Sequence, residues 1–329
     1  MKLLLTGATG FLGRSVTRRL AEHGHTLFAL VRTTSNVEPI AGFLAARRTG
    51  DITDPLAVRD AADGVDAIVH LAADLGHWSA RRADIHRINV SGTRVVAEAA
   101  KTAGVPRLLH VSSVAAVGYS ADGVPIDEYA PNNFRPLRLV YHESKRLAEE
   151  EALDARRYGV AVTIVNPGVV YGPRGLDHAF GHTMLEIAAG RVPGHPTGGL
   201  SVVDVEDVAT GIAMALERAR EGERYILSGD NVHYAELFAR QAEVVGRRYR
   251  GRPLPSALLH LAAIAFETRA RFDGREPRLT RDNATIAPLL MWYSHERARA
   301  ELDFRPRPLG ETLERMARAY RDAGILAPR

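Results

Sequence analysis

The chain of 329 residues contains no cysteine, which excludes disulfides and any thiolate chemistry, catalytic or metal-binding. Aromatic residues are scarce at 6%, with two tryptophans, and no basic patch is interleaved with them as a nucleic-acid surface would require. Long apolar runs are missing as well. The opening MKLLLTGATG offers three leucines before a glycine turn, too few for a signal-peptide core. Residues 257–266, interrupted by His260, are too short to span a bilayer. The expectation is a soluble, cytoplasmic protein with no nucleic-acid and no membrane partner. Lysine is the last scarcity. Of 43 Lys+Arg, only Lys2, Lys101 and Lys145 are lysine.

What is present is an ordinary globular composition, 46% hydrophobic and 25% charged, long enough for one large domain with a smaller lobe. The net charge of +4 is unevenly placed. From residue 240 onward there are 18 Arg against 11 Asp+Glu, a surplus of +7, which leaves −3 before it. The favoured reading is a solvated arginine-rich surface. An acidic ligand such as a phosphate or coenzyme A group is the alternative.

Strand and helix signals alternate: residues 1–6, 26–31, 66–72, 107–112 and 160–165 read as strands separated by helical patterns. This predicts an α/β protein, a doubly wound parallel-sheet Rossmann fold. After Tyr171 the rhythm weakens. Residues 201–215 read as a strand and helix returning to the sheet, and 229–329 as mostly helical. The expected division is a nucleotide domain of residues 1–171 plus about 200–228, with a smaller, mostly helical C-terminal substrate lobe of about 172–199 plus 229–329.

TGATGFLG, residues 6–13, lies between the first strand and first helix, so Gly7, Thr9, Gly10, Phe11, Leu12 and Gly13 form a candidate pyrophosphate cradle. An NAD site usually has an acid at the end of the second strand. Here the strand ends in Arg32-Thr33-Thr34-Ser35. A guanidinium there suits a 2′-phosphate, which favours NADP(H) over NAD(H). Tyr141 and Lys145 in YHESK are four apart and share one helix face. A phenol titrates near about 10 in isolation, and a neighbouring ammonium lowers that. Ser112 and Ser113 end the fourth predicted strand, where α/β sheets place ligands, and supply a hydroxyl to orient a substrate oxygen. Tyr, Lys and Ser together read as a proton-transfer set.

With TGxxGxxG at the start and YxxxK near the middle, nearly the whole chain resembles an extended short-chain dehydrogenase/reductase of the NAD-dependent epimerase/dehydratase type. The resemblance implies catalysis by Tyr141, Lys145 and Ser113, with Ser112 the other candidate serine. It implies adenine contacts from Asp51 and Ile52, and a strand along the cofactor at His70, Leu71, Ala72 and Ala73. It also implies a structural asparagine at Asn89, and a nicotinamide segment over 166–172 that includes Pro167, Gly168, Val169 and Val170. Val114 stands where epimerases carry Ser or Thr, and Asn166-Pro167 where they carry Arg-Pro. Both departures resemble the dihydroflavonol-reductase-like branch, whereas residues 190–209 and 222–232 are similar to hopanoid-associated sugar epimerases. A homodimer packing the YHESK helices is a further implication.

The leading expectation is therefore an NADPH-dependent reductase converting a ketone or aldehyde to an alcohol, reversibly, with Tyr141 as proton donor. The alternatives are a sugar-nucleotide epimerase or dehydratase using NAD, and a cofactor-sensing protein without turnover. No histidine spacing supports a metal: His23 and His25 fall in a turn, while His77, His86, His178 and His182 are candidates for lining a substrate pocket. Trp78, Phe180, Trp292 and Tyr293 are candidates for its apolar wall. Asp204, Glu206 and Asp207 read as helix capping.

Overall fold

A computed structural model describes residues 1–173, 179–274 and 276–327. The first half runs β1 (Lys2–Thr6), α1 (Phe11–Glu22), β2 (Thr26–Val31), β3 (Ala46–Thr49), α2 (Pro55–Ala62), β4 (Ala67–His70), α3 (Arg82–His86), α4 (Gly92–Thr102), β5 (Arg107–Val111), α5 (Val140–Asp154) and β6 (Ala161–Pro167). Beyond them come β7 (Val169–Tyr171), α6 (Ala179–Ala188), β8 (Gly194–His195), β9 (Gly199–Asp204), α7 (Val205–Arg218), β10 (Arg224–Leu227) and β11 (Asp230–His233). The last part holds α8 (Tyr234–Val244), β12 (Arg252–Pro253), α9 (Ser256–Asp273), α10 (Arg281–Ile286), β13 (Leu290–Met291), α11 (Glu296–Leu302) and α12 (Leu309–Asp322).

Seven strands form one parallel sheet in the order β10-β6-β5-β4-β1-β2-β3. This is the doubly wound Rossmann arrangement expected from the alternating pattern. The order reverses between β1 and β4, and a crevice opens at such a switch point beyond the strands' carboxyl ends. The central strands are apolar without alternation because both faces are covered. Leu3 and Leu5 of β1 join a core with α1 and α7, while Leu4 joins a second core with α2 and α4. The edge strand β3 reads Ala-Arg-Arg-Thr and is largely exposed, a composition that carries no strand signal in sequence and blunts the edge.

One expectation for the later chain is corrected. The strand at 199–204 does not return to the large sheet. It joins a second sheet, pairing with β11, β13 and β7, while β10 takes the edge of the large sheet beside β6. The physical cause lies at Gly168, where β6 ends and β7 begins. A Cβ there would come 2.9 Å from the Ser201 carbonyl oxygen, so only glycine lets the chain approach β9 so closely. The C-terminal part is accordingly helices packed on this small sheet, around a third core containing Tyr171, Leu200, Met291 and Tyr293.

The acidic cluster ties these layers together. Asp204 caps α7 by accepting from Glu206 N at 2.8 Å. It also pairs with Arg315 at 3.0 Å, while Asp207 takes Arg307 at 2.6 Å. Capping was the expected role; the arginine clamp from the C-terminal helix was not visible in sequence.

Candidate active site

At the switch point lies a cavity of about 750 Å³. Its floor is the turn between β1 and α1. Gly7 has φ of +72°, and a Cβ on it would sit 2.6 Å from Ala72 N. A Cβ on Gly13 would meet the Gly7 carbonyl oxygen at 2.1 Å, so helix and strand pack closely only because that position is bare. Helix α1 begins at Gly10 with no side-chain cap and no acid in its first turn. Its amide groups and positive dipole end are thus left for an anion. This cradle, with its bare glycines, fits the pyrophosphate of a dinucleotide.

The lining includes all the turn residues Gly7, Thr9, Gly10, Phe11, Leu12 and Gly13, and the proposed adenine side, Arg32, Asp51 and Ile52. Arg32 is exposed at the rim. Asp51 accepts from Thr53 N and Oγ1 at 2.9 and 2.7 Å. Burial raises its pKa, but those bonds and the Arg32 and Arg87 charges outweigh it and hold the carboxyl below its usual range. Leu71, Ala72, Ala73, Ser112, Ser113, Pro167, Gly168, Val169 and Val170 also line the cavity, as do Tyr141 and Lys145.

Two residues of the expected site stand behind the wall. His70 is fully buried, its Nδ1 at 2.6 Å from Thr6 Oγ1 and its Nε2 at 3.0 Å from Thr93 Oγ1. Thr93 in turn donates to the Asn89 carbonyl at 2.6 Å, and Thr6 accepts from Ala72 N at 3.3 Å. This makes His70 a neutral relay joining the glycine strand to the loop after β4, not a cofactor contact. Asn89 lies in a π-helical turn, Arg87–Ser91, a distortion frequent at functional sites. Its side-chain oxygen accepts from Asp74 N at 2.7 Å, and its amide donates to Asp74 O and Ser144 Oγ, both at 2.9 Å. Asn89 thus clamps the loop that carries Asp74 and His77 into the cavity, and does not line it.

Around Tyr141 the electrostatics differ from the sequence expectation. The phenol is enclosed, and burial pushes its pKa up to about 12; a hydrogen bond with Ser113 offsets this in part, and the Asp74 charge adds to it. Burial also pushes Lys145 down to about 8, with Glu149 holding it up. Desolvation of both groups outweighs the lowering expected from the ammonium, so Tyr141 is held as a neutral phenol. Lys145 Nζ donates to the Val111 carbonyl at 3.2 Å. Asn166 donates to the Ser113 carbonyl at 2.8 Å and to Glu149 Oε1 at 2.7 Å, and Arg224 pairs with Glu149. The end of β6 therefore fixes both the serine and the carboxylate below the lysine. The Ser112 hydroxyl is buried without a partner.

The far end of the cavity was largely unforeseen. Asp74, Leu75, His142, Leu200, Tyr234, Ile286 and Met291 line it, together with His77. The His77 ring lies 4.8 Å from that of Tyr141 and 5.9 Å from that of His142. Burial pushes the two imidazoles down to about 4 and about 3, and each has an unpartnered Nδ1. Helical adjacency to Tyr141 was the one sequence signal for His142. His86, His182, Trp78, Trp292 and Tyr293, expected as lining, do not reach the cavity. Trp292 instead packs its ring on His233, 4.9 Å between centroids. His178 and the Phe180 side chain lie outside the described residues.

The model of the NAD dependent epimerase/dehydratase family matches residues 3–228. "Sterol demethylase protein B" of Methylococcus capsulatus is 29% identical over 329 residues, 99% of this chain and 100% of that one. A Synechocystis sp. protein named for dihydroflavonol 4-reductase is 31% identical over 303 residues, 91% of this chain and 88% of its own. The crystal structure of gox2253 superposes with a TM-score of 0.86 at 38% identity, with 99% of each chain covered.

Proposed function

The chain belongs to the NAD-dependent epimerase/dehydratase family, and within it we propose an NADPH-dependent reductase that converts an apolar ketone or aldehyde to its alcohol. The observation that carries this is the make-up of the cavity beyond Tyr141. Among the described residues, Arg32 and Lys145 are the only lysine or arginine lining the whole cavity; the far end offers Leu75, Leu200, Ile286 and Met291, with Asp74, His77, His142 and Tyr234 as its polar groups and burial holding both imidazoles neutral. A sugar nucleotide brings a diphosphate that needs cationic partners. An apolar carbonyl compound needs walls of this kind and a few polar anchors.

A reduced nicotinamide, when bound, supplies the hydride. The residues of the chain do the rest. Ser113 and Tyr141 donate to the substrate oxygen, and Tyr141, kept neutral by burial, transfers its proton as the alkoxide develops. Lys145 stabilises the phenolate left behind and offers donors for ribose hydroxyls. Arg32 at the rim pairs with a 2′-phosphate. The name of the Synechocystis relative is consistent with a reductase, and that of the Methylococcus relative with a sterol-like apolar compound. Titration with NADPH and NADH, for the wild type and Arg32→Ala, tests the reading. NADPH is expected to bind tighter, and the preference to vanish in the variant. Equal NADH binding, or a protein purified with NAD held in place, contradicts it and returns the epimerase reading.

A further inference from the structure

Helix α9 is apolar nearly all round, a composition normally enclosed on every side. Only one side is covered here. Ala263, Glu267 and Ala270 face inward, and Glu267 pairs with Arg281 of α10 at 2.8 Å. The opposite side leaves Leu258, Leu261 and Phe272 at 51%, 66% and 87% exposure, with Ile264 and Phe266 beside them. Leu258, Leu261, Ala265 and Phe272 follow helical spacing along one stripe. Of the 13 exposed large hydrophobic side chains among the described residues, five sit on this one helix, so they form a patch and are not scattered. Before its last residue the helix carries one acid, Glu267, which is buried and paired.

The segment immediately before it is strongly basic. Arg247, Arg248, Arg250 and Arg252 are exposed, and none has an ion-pair partner among the described residues. Ile187, Val192, Arg247, Arg248, Tyr249 and Arg250 help line a second cleft of about 280 Å³. The Tyr249 hydroxyl is buried without a hydrogen-bond partner. Such arginines and a free phenol donate to phosphate oxygens.

We infer that α9 and residues 247–252 dock the protein on an anionic lipid surface, the apolar stripe entering the interface and the arginines meeting lipid phosphates. Among the described residues no helix is long and apolar enough to cross a membrane, so the docking is peripheral. A second copy is a poorer occupant. A two-fold contact brings two copies of one basic surface into a single interface and supplies no compensating acid, whereas an anionic bilayer answers both the stripe and the charge. Helix α9 packs its covered side on α10, whose Ile286 walls the apolar end of the main cavity, so α9 stands between that end and the lipid. This departs from the sequence expectation of no membrane partner, which rested on the shortness of the apolar runs, and it gives the C-terminal arginine surplus a partner other than solvent. It stands independently of the reductase reading.

The test is flotation of the full chain with phosphatidylcholine vesicles, with and without phosphatidylglycerol. The protein is expected to float with the anionic vesicles, and to be released by salt. Leu261→Glu with Phe272→Glu is expected to abolish flotation, and Arg248→Glu with Arg250→Glu to weaken it roughly tenfold or more. Unchanged NADPH binding and thermal melting in both variants show that the fold is intact. No flotation with anionic vesicles, or undiminished flotation of the Leu261→Glu/Phe272→Glu protein, overturns the inference. So does a dimer seen by light scattering that this variant converts to monomer without any vesicle binding, which assigns the face to a second copy.

Discussion

The two ends of the main cavity are built differently. The cofactor end is assembled from strand ends and the turns that follow them, each a short contiguous stretch: the glycine turn after β1, Arg32 after β2, Asp51 and Ile52 after β3, and Ser112 and Ser113 after β5. The far end is assembled from single residues set far apart in the chain, Leu75, Leu200, Tyr234, Ile286 and Met291, on loops, β9, α8, α10 and β13. The first end, Arg32 apart, offers mainly backbone and bare glycines, groups suited to a pyrophosphate. The second offers mainly side-chain shape. Tyr141 stands at the seam between them.

The sharpest way to break this division is at the seam. Tyr141→Phe is expected to lower kcat for carbonyl reduction by about 10²–10⁴-fold, while NADPH binding, read by cofactor fluorescence, stays within a few-fold of wild type. A collapse of binding as well would make Tyr141 a cofactor residue and not a proton donor. Next, Gly7→Ala attacks the cofactor end alone. Its Cβ would press on Ala72 N from a left-handed backbone position, so NADPH affinity should fall by roughly two orders of magnitude, with strain of about 1–3 kcal/mol lowering Tm. Calorimetric titration and a thermal melt check both.

At the substrate end, Met291→Ala should raise KM for an apolar ketone about tenfold, the scale of a lost apolar contact, and leave the NADPH Kd unchanged. Coupled changes in both would show that the two ends are not separable. The smallest expected effects come from pH. Burial pushes Lys145 down to about 8, so kcat/KM for reduction should decline as pH rises through about 8 and the ammonium is lost. In Lys145→Arg, which stays protonated, that limb should disappear. His70, His77 and His142 are depressed below their usual 6.5. The unfolded chain therefore binds more protons between about 6.5 and 3. Stability is full above that window, and Tm should fall as pH is lowered through it.

The same contrast explains what the sequence discloses. The large sheet, the glycine turn, the Tyr-Lys spacing and the serines are legible because each depends on local periodicity or on residues a few positions apart. Arg32 was legible for the same reason. Strand β9 was misplaced because its apolar pattern is the same whichever sheet it joins, and only the close approach at Gly168 decides. His70 was placed on a strand along the cofactor and Asn89 as a structural residue near the site; neither lines the cavity, since motif position fixes where a residue sits along the chain and not which way its side chain points. Burial of Tyr141 and Lys145, which reverses the expected pKa of the phenol, depends on walls contributed by remote segments. Met291 and Ile286 carry no signal in sequence, because an apolar residue lining a cavity looks like any apolar residue in a core.

The central claim is that reducing equivalents leave the protein with the product. It is tested most directly by mixing purified protein with NADPH and an apolar ketone, then comparing the nicotinamide consumed with the alcohol formed. The account predicts one NADPH oxidised for each alcohol produced, and almost no turnover in Tyr141→Phe. Conversion of a sugar nucleotide with no net change in nicotinamide would contradict it.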